Sequence, residues 1–318
     1  MQAIVFQAGK LRVDQLPDPK PGAGELLVKV RLAGICGTDL EIVQGYGRFE
    51  GIVGHEFVGS VASGSTALAG KRVVGEINCV CGRCDMCAGG LSSHCRRRSV
   101  VGIAGRAGAF ADYVVLPERN CIEVPATVGD EEAVFAEPLA AAYQVTRQVK
   151  IEPRMNVAVL GTGRLGLLVA QVLALRGCKL TAFGRNPKTL GLLDRKRIRT
   201  AVLGEHPGSQ DYDVVVDCTG SPDGFRIGLG LVRPRGTIVL KTTRATQEAA
   251  DLTPVVVNEI TVLGSRCGPM SDALSALARK EIDVTSMITQ VLPLSEGLKA
   301  LRLAAEPDHI KVLLKVGQ

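Results

Sequence analysis

Five of the ten cysteines crowd into one short segment of the chain. Four of them have a regular spacing, Cys81-x2-Cys84-x2-Cys87-x7-Cys95. Four thiolates this close together can surround one tetrahedral ion, and a site closed by four cysteines is typical of structural zinc. Cys79 is a rival ligand for Cys81, and His94 adjoins the fourth position, but neither fits the spacing as well. Residues from about 78 to 98 are therefore predicted to form a structural zinc lobe.

A second group of metal-binding residue types is spread along the chain. The segments are Gly34-Ile35-Cys36-Gly37-Thr38-Asp39, Gly54-His55-Glu56 and Ala136-Glu137-Pro138. A thiolate, an imidazole and a carboxylate form a catalytic type of zinc set, which leaves one position for water or substrate. Taken singly, each residue has a plain alternative: Cys36 in the core, His55 in a turn and Glu137 on a solvated helix face.

The third group is rich in glycine, Gly161-Thr162-Gly163-Arg164-Leu165-Gly166. It follows an apolar run at 157–160 that is typical of a buried parallel strand, and a helical pattern follows it. In this setting the motif predicts a dinucleotide site, because its glycines allow a tight turn, close approach of a pyrophosphate and close helix packing. The free N–H groups at the start of the helix favour the phosphates.

The end of the next predicted strand distinguishes NAD from NADP. An NAD site usually has Asp or Glu about 20 residues after the glycine motif, where it holds the ribose 2′-OH. This chain has Gly184-Arg185-Asn186 there, with Lys188 close behind and no carboxylate before Asp194. An arginine suits a 2′-phosphate, whereas the alternative is a solvated surface arginine. NADP is therefore predicted in preference to NAD.

The surrounding elements predict two domains, since 318 residues suffice for two cores. Residues 1–125 show short strand patterns separated by Gly and Pro, which indicates an irregular all-β barrel. An Ala-rich helix begins near residue 130, and strands then alternate with helices to about 265. That alternation predicts a doubly wound parallel sheet. Two amphipathic helices follow, and a strand-like segment at 310–316 could return to the barrel.

Composition argues against other classes of protein. The apolar runs are too short to span a bilayer and no signal peptide is evident, so no membrane partner is expected and the cytoplasm is predicted. The net charge of +6 is modest, aromatic residues make up 3% and Trp is absent, which argues against nucleic acid as a partner.

Taken together and in order, GICGTD, GHEFVG, CGRCDMC, HC, AEPLA and GTGRLG resemble the zinc-containing medium-chain alcohol and polyol dehydrogenases. The chain is most similar to the sorbitol, threonine and glucose dehydrogenase branches, in which EPLA occurs. The resemblance implies an α/β architecture. A GroES-like β-barrel catalytic domain, 1–140 and 267–318, would contain an inserted Rossmann cofactor-binding domain, 141–266. It also implies a homodimer or homotetramer, often joined through the edges of the cofactor domains.

The resemblance also implies a role for each matching residue. Cys36 and His55 match zinc ligands, while Glu56 and Glu137 match two acidic positions that can exchange between binding the metal and standing behind its ligands. Thr38 matches the hydroxyl residue that takes the proton of the substrate alcohol. Two zinc ions per chain are expected, one catalytic and one structural. In the cofactor domain the expected binding residues are Gly161, Gly163, Arg164, Leu165, Gly166, Arg185 and Lys188.

Two further positions bear on the reaction. Asp39 is expected to orient His55 from behind the ligand shell. Glu41 stands where many relatives have a histidine, so the usual histidine route for the leaving proton is not assigned to this chain. Few aromatic residues lie near the predicted site, which favours a polyol or sugar-like alcohol over a bulky aromatic one; they are Tyr46, Phe49 and Phe110.

The resulting prediction is a zinc-dependent oxidoreductase. It would transfer a hydride between NADP, or less favourably NAD, and a small-molecule secondary alcohol or polyol, or the matching carbonyl compound. A zinc-independent quinone reductase of the same fold should lack the set Cys36, His55 and Glu56. A non-catalytic NADPH-binding sensor or a structural zinc protein remains the alternative.

Overall fold

The described residues of the computed structural model, 1–64, 67–204, 210–245 and 249–317, form two compact units. Unit 1 comprises Met1–Glu137 and Met270–Gln318, and unit 2 comprises Pro138–Pro269. The chain therefore leaves unit 1, forms unit 2 and returns. Among the described helices, none combines the length and apolar character that crossing a bilayer requires.

The first part of unit 1 consists mainly of short strands. They are β1 (Gln2–Gln7), β2 (Lys10–Gln15), β3 (Glu25–Gly34), β4 (Gly51–Ile52), β5 (Glu56–Ser63), β6 (Arg72–Gly75), β7 (Asn78–Cys79), β8 (Ser99–Val101), β9 (Gly105–Arg106), β10 (Tyr113–Pro117) and β11 (Cys121–Glu123). The helices of this part are α1 (Gly37–Val43), α2 (Asp85–Ala88) and α3 (Asp130–Ala133). Short 3₁₀ turns occupy Tyr46–Arg48, Ser92–His94 and Glu118–Asn120.

Helix α4 (Ala136–Gln148) carries the chain into unit 2, where strands and helices alternate. The strands are β12 (Asn156–Leu160), β13 (Lys179–Gly184), β14 (Arg199–Val202), β15 (Tyr212–Asp217), β16 (Val232–Leu240) and β17 (Thr261–Gly264). The helices are α5 (Arg164–Ala174), α6 (Pro187–Asp194), α7 (Asp223–Leu231) and α8 (Thr253–Val257).

The strands of unit 2 form one sheet in the order β14-β13-β12-β15-β16-β17, and every neighbouring pair is parallel. This order confirms the doubly wound sheet. The apolar run at 157–160 in β12 is fully buried, as expected for a strand covered on both faces. The strand order reverses at β12, so a crevice is expected outside the carboxyl ends of β12 and β15, where ligands bind in such sheets.

The last part of the chain rejoins unit 1 through α9 (Met270–Ala278), β18 (Ile288–Pro293), α10 (Gly297–Ala305) and β19 (Lys311–Lys315). The main sheet of unit 1 runs β11-β6-β5-β3-β19-β18, with β10 also paired to β3. The predicted return of the final strand is confirmed, because β19 pairs with β3 in antiparallel register.

Strand β3 lies at the centre of this sheet, and its residue pattern explains which of its faces is buried. Leu26, Val28 and Val30 are buried, whereas Lys29 and Arg31, at alternate positions, are exposed. This period of two places one face of the strand in the core and the other toward solvent. The end of β3 is buried on both faces, and it leads directly into the candidate site.

Candidate functional site

One candidate metal site of unit 1 lies where β3 ends and β5 begins. The two strands are antiparallel with Gly34 opposite Glu56, so the residues that follow β3 meet those that open β5. The ligand atoms of Cys36, His55 and Glu56 lie within 4.8 Å of one another. His55 and Glu56 are buried and Cys36 is partly buried, so this donor set is largely withdrawn from water. The thiol, imidazole and carboxylate fit a zinc ion.

Asp39 supports two parts of this site from behind. Its Oδ1 lies 3.1 Å from Nδ1 of His55, and its Oδ2 accepts a hydrogen bond of 2.8 Å from the backbone N–H of Cys36. Because an ionised carboxylate only accepts, Nδ1 carries the proton and Nε2 is left as the donor atom for a metal. Burial lowers the pKa of His55, but Asp39 and Cys36 outweigh it and raise the pKa well above its usual value.

Lys311 of β19 supplies a buried positive charge opposite the Glu56 carboxylate. The sequence analysis did not identify this residue. Its Nζ forms an ion pair with Oε2 of Glu56, and each side chain is 1% exposed. The same Nζ donates to the carbonyl of Ile35 at 3.3 Å and lies 5.4 Å from the ring centroid of Phe135. The available signal was a single charge inside the apolar run at 310–314, where a buried lysine needs a partner.

Glu137 and Thr38 border the cluster without belonging to it. Glu137, in the first turn of α4, is partly buried and is not one of the three grouped ligands. Burial raises its pKa to about 7; His55 opposes the rise, and Glu56 and Glu76 add to it. The hydroxyl oxygen of Thr38 lies 3.8 Å from the Cys36 sulfur, so a hydroxyl group stands directly beside the thiol.

Two of the three aromatic residues expected near the site are core residues. Phe110 is fully buried, and its ring packs against Gly54. Phe49 is 7% exposed and lies against Gly51. Neither is therefore available to line a substrate cavity, so these two residues leave the site with even fewer aromatic side chains than the sequence suggested. Tyr46 is partly exposed.

The four cysteines of the predicted zinc lobe converge. All four Sγ atoms lie within 4.8 Å of one another, and the hydrogen-bonded sulfur pairs are 3.5 to 3.8 Å apart. Zn–S bonds of about 2.3 Å in tetrahedral geometry separate sulfurs by about 3.8 Å, so the set fits a closed zinc site. The grouped residues are Cys81, Cys84, Cys87 and Cys95.

Hydrogen bonds from backbone N–H groups stabilise negative charge on these sulfurs. The N–H groups of Cys81 and Arg97 donate to the Cys95 sulfur at 3.3 and 3.4 Å. The backbone N–H of Arg83 is the main reason that the pKa of Cys81 falls to about 6. Cys79, considered as a rival ligand, is buried in β7 outside the group, and His94 is exposed and bonded to Ser93.

In unit 2 the glycine motif forms the turn between β12 and α5. Gly161 has a φ of +88°, and a Cβ there would lie 2.7 Å from the Cα of Thr219. A Cβ on Gly166 would lie 1.8 Å from the carbonyl oxygen of Gly161, so only glycine lets the helix approach the strand. Gly163 caps α5 with open space around it, which leaves the helix N-terminus accessible to a phosphate. Arg164 and Leu165 form the first turn of α5 and are partly buried.

The residues expected to choose the cofactor lie after β13. Arg185 is exposed and lines a cavity of about 370 Å³ together with Arg226 and Asp223 of α7. Asn186 caps α6 by accepting a hydrogen bond of 2.9 Å from the backbone N–H of Lys188. The Lys188 side chain is exposed in the first turn of α6 and is not among the residues that line the cavity.

Known protein families match segments in both units of the chain. Residues 22–126 match the alcohol dehydrogenase GroES-like domain, and residues 165–281 match the zinc-binding dehydrogenase family model. Sorbitol dehydrogenase of Halalkalibacterium halodurans is 30% identical over 99% of both chains. L-threonine 3-dehydrogenase of Chelativorans sp. is 30% identical over 92% of both.

Two similar solved structures carry different cofactors. A putative zinc-binding dehydrogenase from Sinorhizobium meliloti, bound to NADP, is 29% identical, with a TM-score of 0.87 over 99% of this chain and 98% of that one. An alcohol dehydrogenase from Escherichia coli, complexed with NADH, is 26% identical, with a TM-score of 0.89 over 99% of both chains.

The buried ion pair yields a test of its contribution to stability. Lys311→Met should lower the free energy of unfolding of the metal-free protein by about 3–5 kcal/mol, because it leaves the Glu56 carboxylate buried without a cation. Lys315→Met, on the exposed end of the same strand, is the matched control and should have little effect. Urea unfolding after chelation measures both. Equal stability of the two variants would contradict a stabilising role for the ion pair.

Proposed function

The chain belongs to the zinc-dependent medium-chain alcohol dehydrogenase family and is a nicotinamide-dependent oxidoreductase, for which we propose two zinc ions per chain and a preference for NADP. Its substrate is a secondary alcohol or polyol, or the matching carbonyl compound. The observation that carries this proposal is the buried convergence of Cys36, His55 and Glu56 with a hydroxyl group beside the thiol.

Cys36, His55 and Glu56 would hold the catalytic zinc. When bound, the metal supplies a Lewis acid for the substrate oxygen, and the nicotinamide supplies or takes the hydride. Glu56 is favoured over Glu137 as the carboxylate ligand, because Glu56 belongs to the grouped donors and Glu137 does not. Glu137, whose pKa is raised to about 7, would stand behind the ligands.

The chain's own groups then handle the proton. Thr38 accepts the proton that the alcohol loses on oxidation and returns it on reduction, because its hydroxyl adjoins Cys36 and can both donate and accept. Asp39 fixes the ring of His55 in one orientation. Lys311 holds the Glu56 carboxylate in place through the ion pair and its second bond to Ile35.

The preference for NADP is supported by the charge beside β13. Arg185 and Arg226 both line the cavity there. Asp223 provides the one carboxylate among the described lining residues, and it is paired with Arg226 at 3.0 Å. A 2′-phosphate placed in this region would meet guanidinium groups that can form charge-assisted hydrogen bonds. The similar solved structures, one with NADP and one with NADH, leave either cofactor open.

A homodimer or homotetramer joined through the β17 edge of unit 2 belongs to the same proposal. Strand β17 ends the sheet order, so its outer edge has no partner strand within that described sheet. Val262 of β17 and three residues of the neighbouring segment are exposed apolar side chains: Leu252, Val256 and Val257. A free strand edge beside an apolar patch favours pairing with another chain. The cytoplasm is the proposed compartment, because the described cysteines form no disulfide and four of them are grouped to hold a metal.

The two metal sites predict different responses to a matched pair of substitutions. Purified protein should contain two zinc ions per chain, and mild chelation should remove the catalytic ion first. Cys36→Ser should retain one zinc and a nearly unchanged Tm, whereas Cys84→Ser should lower Tm or prevent assembly. Elemental analysis and calorimetry measure both. Two zinc ions retained in Cys36→Ser, or a normal Tm in Cys84→Ser, would count against the corresponding site.

The activity itself is tested with a substrate panel that includes sorbitol and L-threonine, run with NAD and NADP separately and followed at the nicotinamide absorbance. Thr38→Val should lower kcat by about 10²–10⁴-fold, because a positioned proton acceptor contributes on that order. Thr38→Ser should retain most activity, and both variants should keep their zinc. No turnover of any alcohol, polyol or carbonyl compound by zinc-loaded protein would favour the non-catalytic alternative. Full activity of Thr38→Val would exclude the assigned role of Thr38.

Arg185→Asp tests the cofactor preference. The substitution removes a partner of the 2′-phosphate and adds a repulsive charge, so the ratio of the NAD and NADP dissociation constants should shift toward NAD by at least about tenfold. Complete inversion is not expected, since Lys188 is retained nearby. The measurement is the Kd of each cofactor for both proteins at fixed salt. A wild type that prefers NAD, or a ratio unchanged by the substitution, would refute the preference for NADP.

A further inference from the structure

The last residue of β13, Gly184, faces a filled space. A Cβ built on it would lie 2.1 Å from Oγ1 and 2.9 Å from Cγ2 of Thr162, and 2.9 Å from Cδ2 of Leu190. Real Cβ atoms essentially never lie within 3.0 Å of such atoms, so something must move before any residue other than glycine can stand there. Leu190 can adjust at its flexible end. Thr162 is the obstacle.

Thr162 cannot turn away from this position. Both of its branches lie within 3 Å of the added Cβ, so rotation about χ1 exchanges one clash for another. Its hydroxyl is also fixed, at 2.7 Å from the hydroxyl of Thr189. Thr189 donates in turn to the carbonyl of Asn186 at 2.9 Å, so Thr162 is the donor between the two threonines. Both threonines are buried, at 5% and 4% exposure, which leaves them no solvent into which to move.

The position concerned is the one at which dinucleotide sites distinguish their ligand. Gly184 ends the second strand of the fold about 20 residues after the glycine motif, where a carboxylate holds the ribose 2′-OH of NAD. A side chain at 184 would point toward Thr162, which belongs to the phosphate-binding turn itself. We propose that Thr162 is a specificity-determining residue. It excludes a carboxylate from position 184 and so leaves the 2′ position to Arg185. The inference rests on the proposed dinucleotide site in unit 2.

A double-mutant cycle tests this exclusion, using wild type, Thr162→Ala, Gly184→Asp and the double variant. Gly184→Asp alone should lower Tm by about 4 °C or more and should gain no affinity for NAD. The double variant should recover most of that Tm and should bind NAD at least tenfold more tightly than Gly184→Asp does. Gly191→Asp in α6 is the control for an added charge, because a Cβ there meets only the Arg195 guanidinium at 3.9 Å; its Tm should stay near wild type.

The readouts are calorimetric Tm and the Kd of NAD, NADP and adenosine 2′,5′-bisphosphate, none of which depends on turnover. The proposal is overturned if Gly184→Asp alone keeps the wild-type Tm and gains NAD affinity. It is also overturned if the double variant recovers neither property. A wild type that binds NAD more tightly than NADP would refute the proposed cofactor preference, whereas the coupling between positions 162 and 184 is decided by the four proteins themselves.

Discussion

The structure of unit 1 depends on one buried ion pair, between Glu56 at the start of β5 and Lys311 at the start of β19. Two charges at 1% exposure require each other, because either one alone would stand unpaired in a medium of low polarity. Their pairing requires β19 to lie beside β3, with Leu313 opposite Gly34, and β5 to lie on the other side of β3. The same register brings Cys36 and His55 to Glu56. The chemistry of the site and the order of the sheet are thus consequences of a single arrangement of strands.

The sequence predicted best those features whose residues are neighbours in the chain. The thiolate lobe and the glycine turn are local, so spacing alone indicated which side chains would converge, and the geometry agrees. The set at Cys36, His55 and Glu56 needed the family resemblance, because its spacing is not diagnostic. Lys311 was missed since its partner lies 255 positions away and no local pattern links them. The burial of Phe110 could not be predicted, because aromatic residues of a core and of a cavity wall look alike in a sequence.

Gly184 illustrates a different limit. In the sequence, Gly184 stands where an NAD site usually has a carboxylate, and this difference indicated NADP. Only the structure shows a steric obstacle at this position, because the nearby side chain of Thr162 is 22 positions earlier in the chain. The two threonine hydroxyls and the Asn186 carbonyl form a short chain of hydrogen bonds that joins the turn after β12 to the start of α6. Under the proposal made for Thr162, the choice of cofactor by this chain depends on packing as well as on charge.

The interruption of unit 1 by unit 2 has a consequence for biosynthesis. A ribosome delivers Met1–Glu137 first, then all of Pro138–Pro269, and only afterwards the residues of β19. Unit 2 can form its parallel sheet while the main sheet of unit 1 still lacks β19. Until residues 311–315 emerge, Glu56 has no cation from the protein, and the edge of β3 that β19 will occupy remains open. A nascent chain would therefore pass through an interval in which unit 2 can already be folded while unit 1 still lacks its last strand.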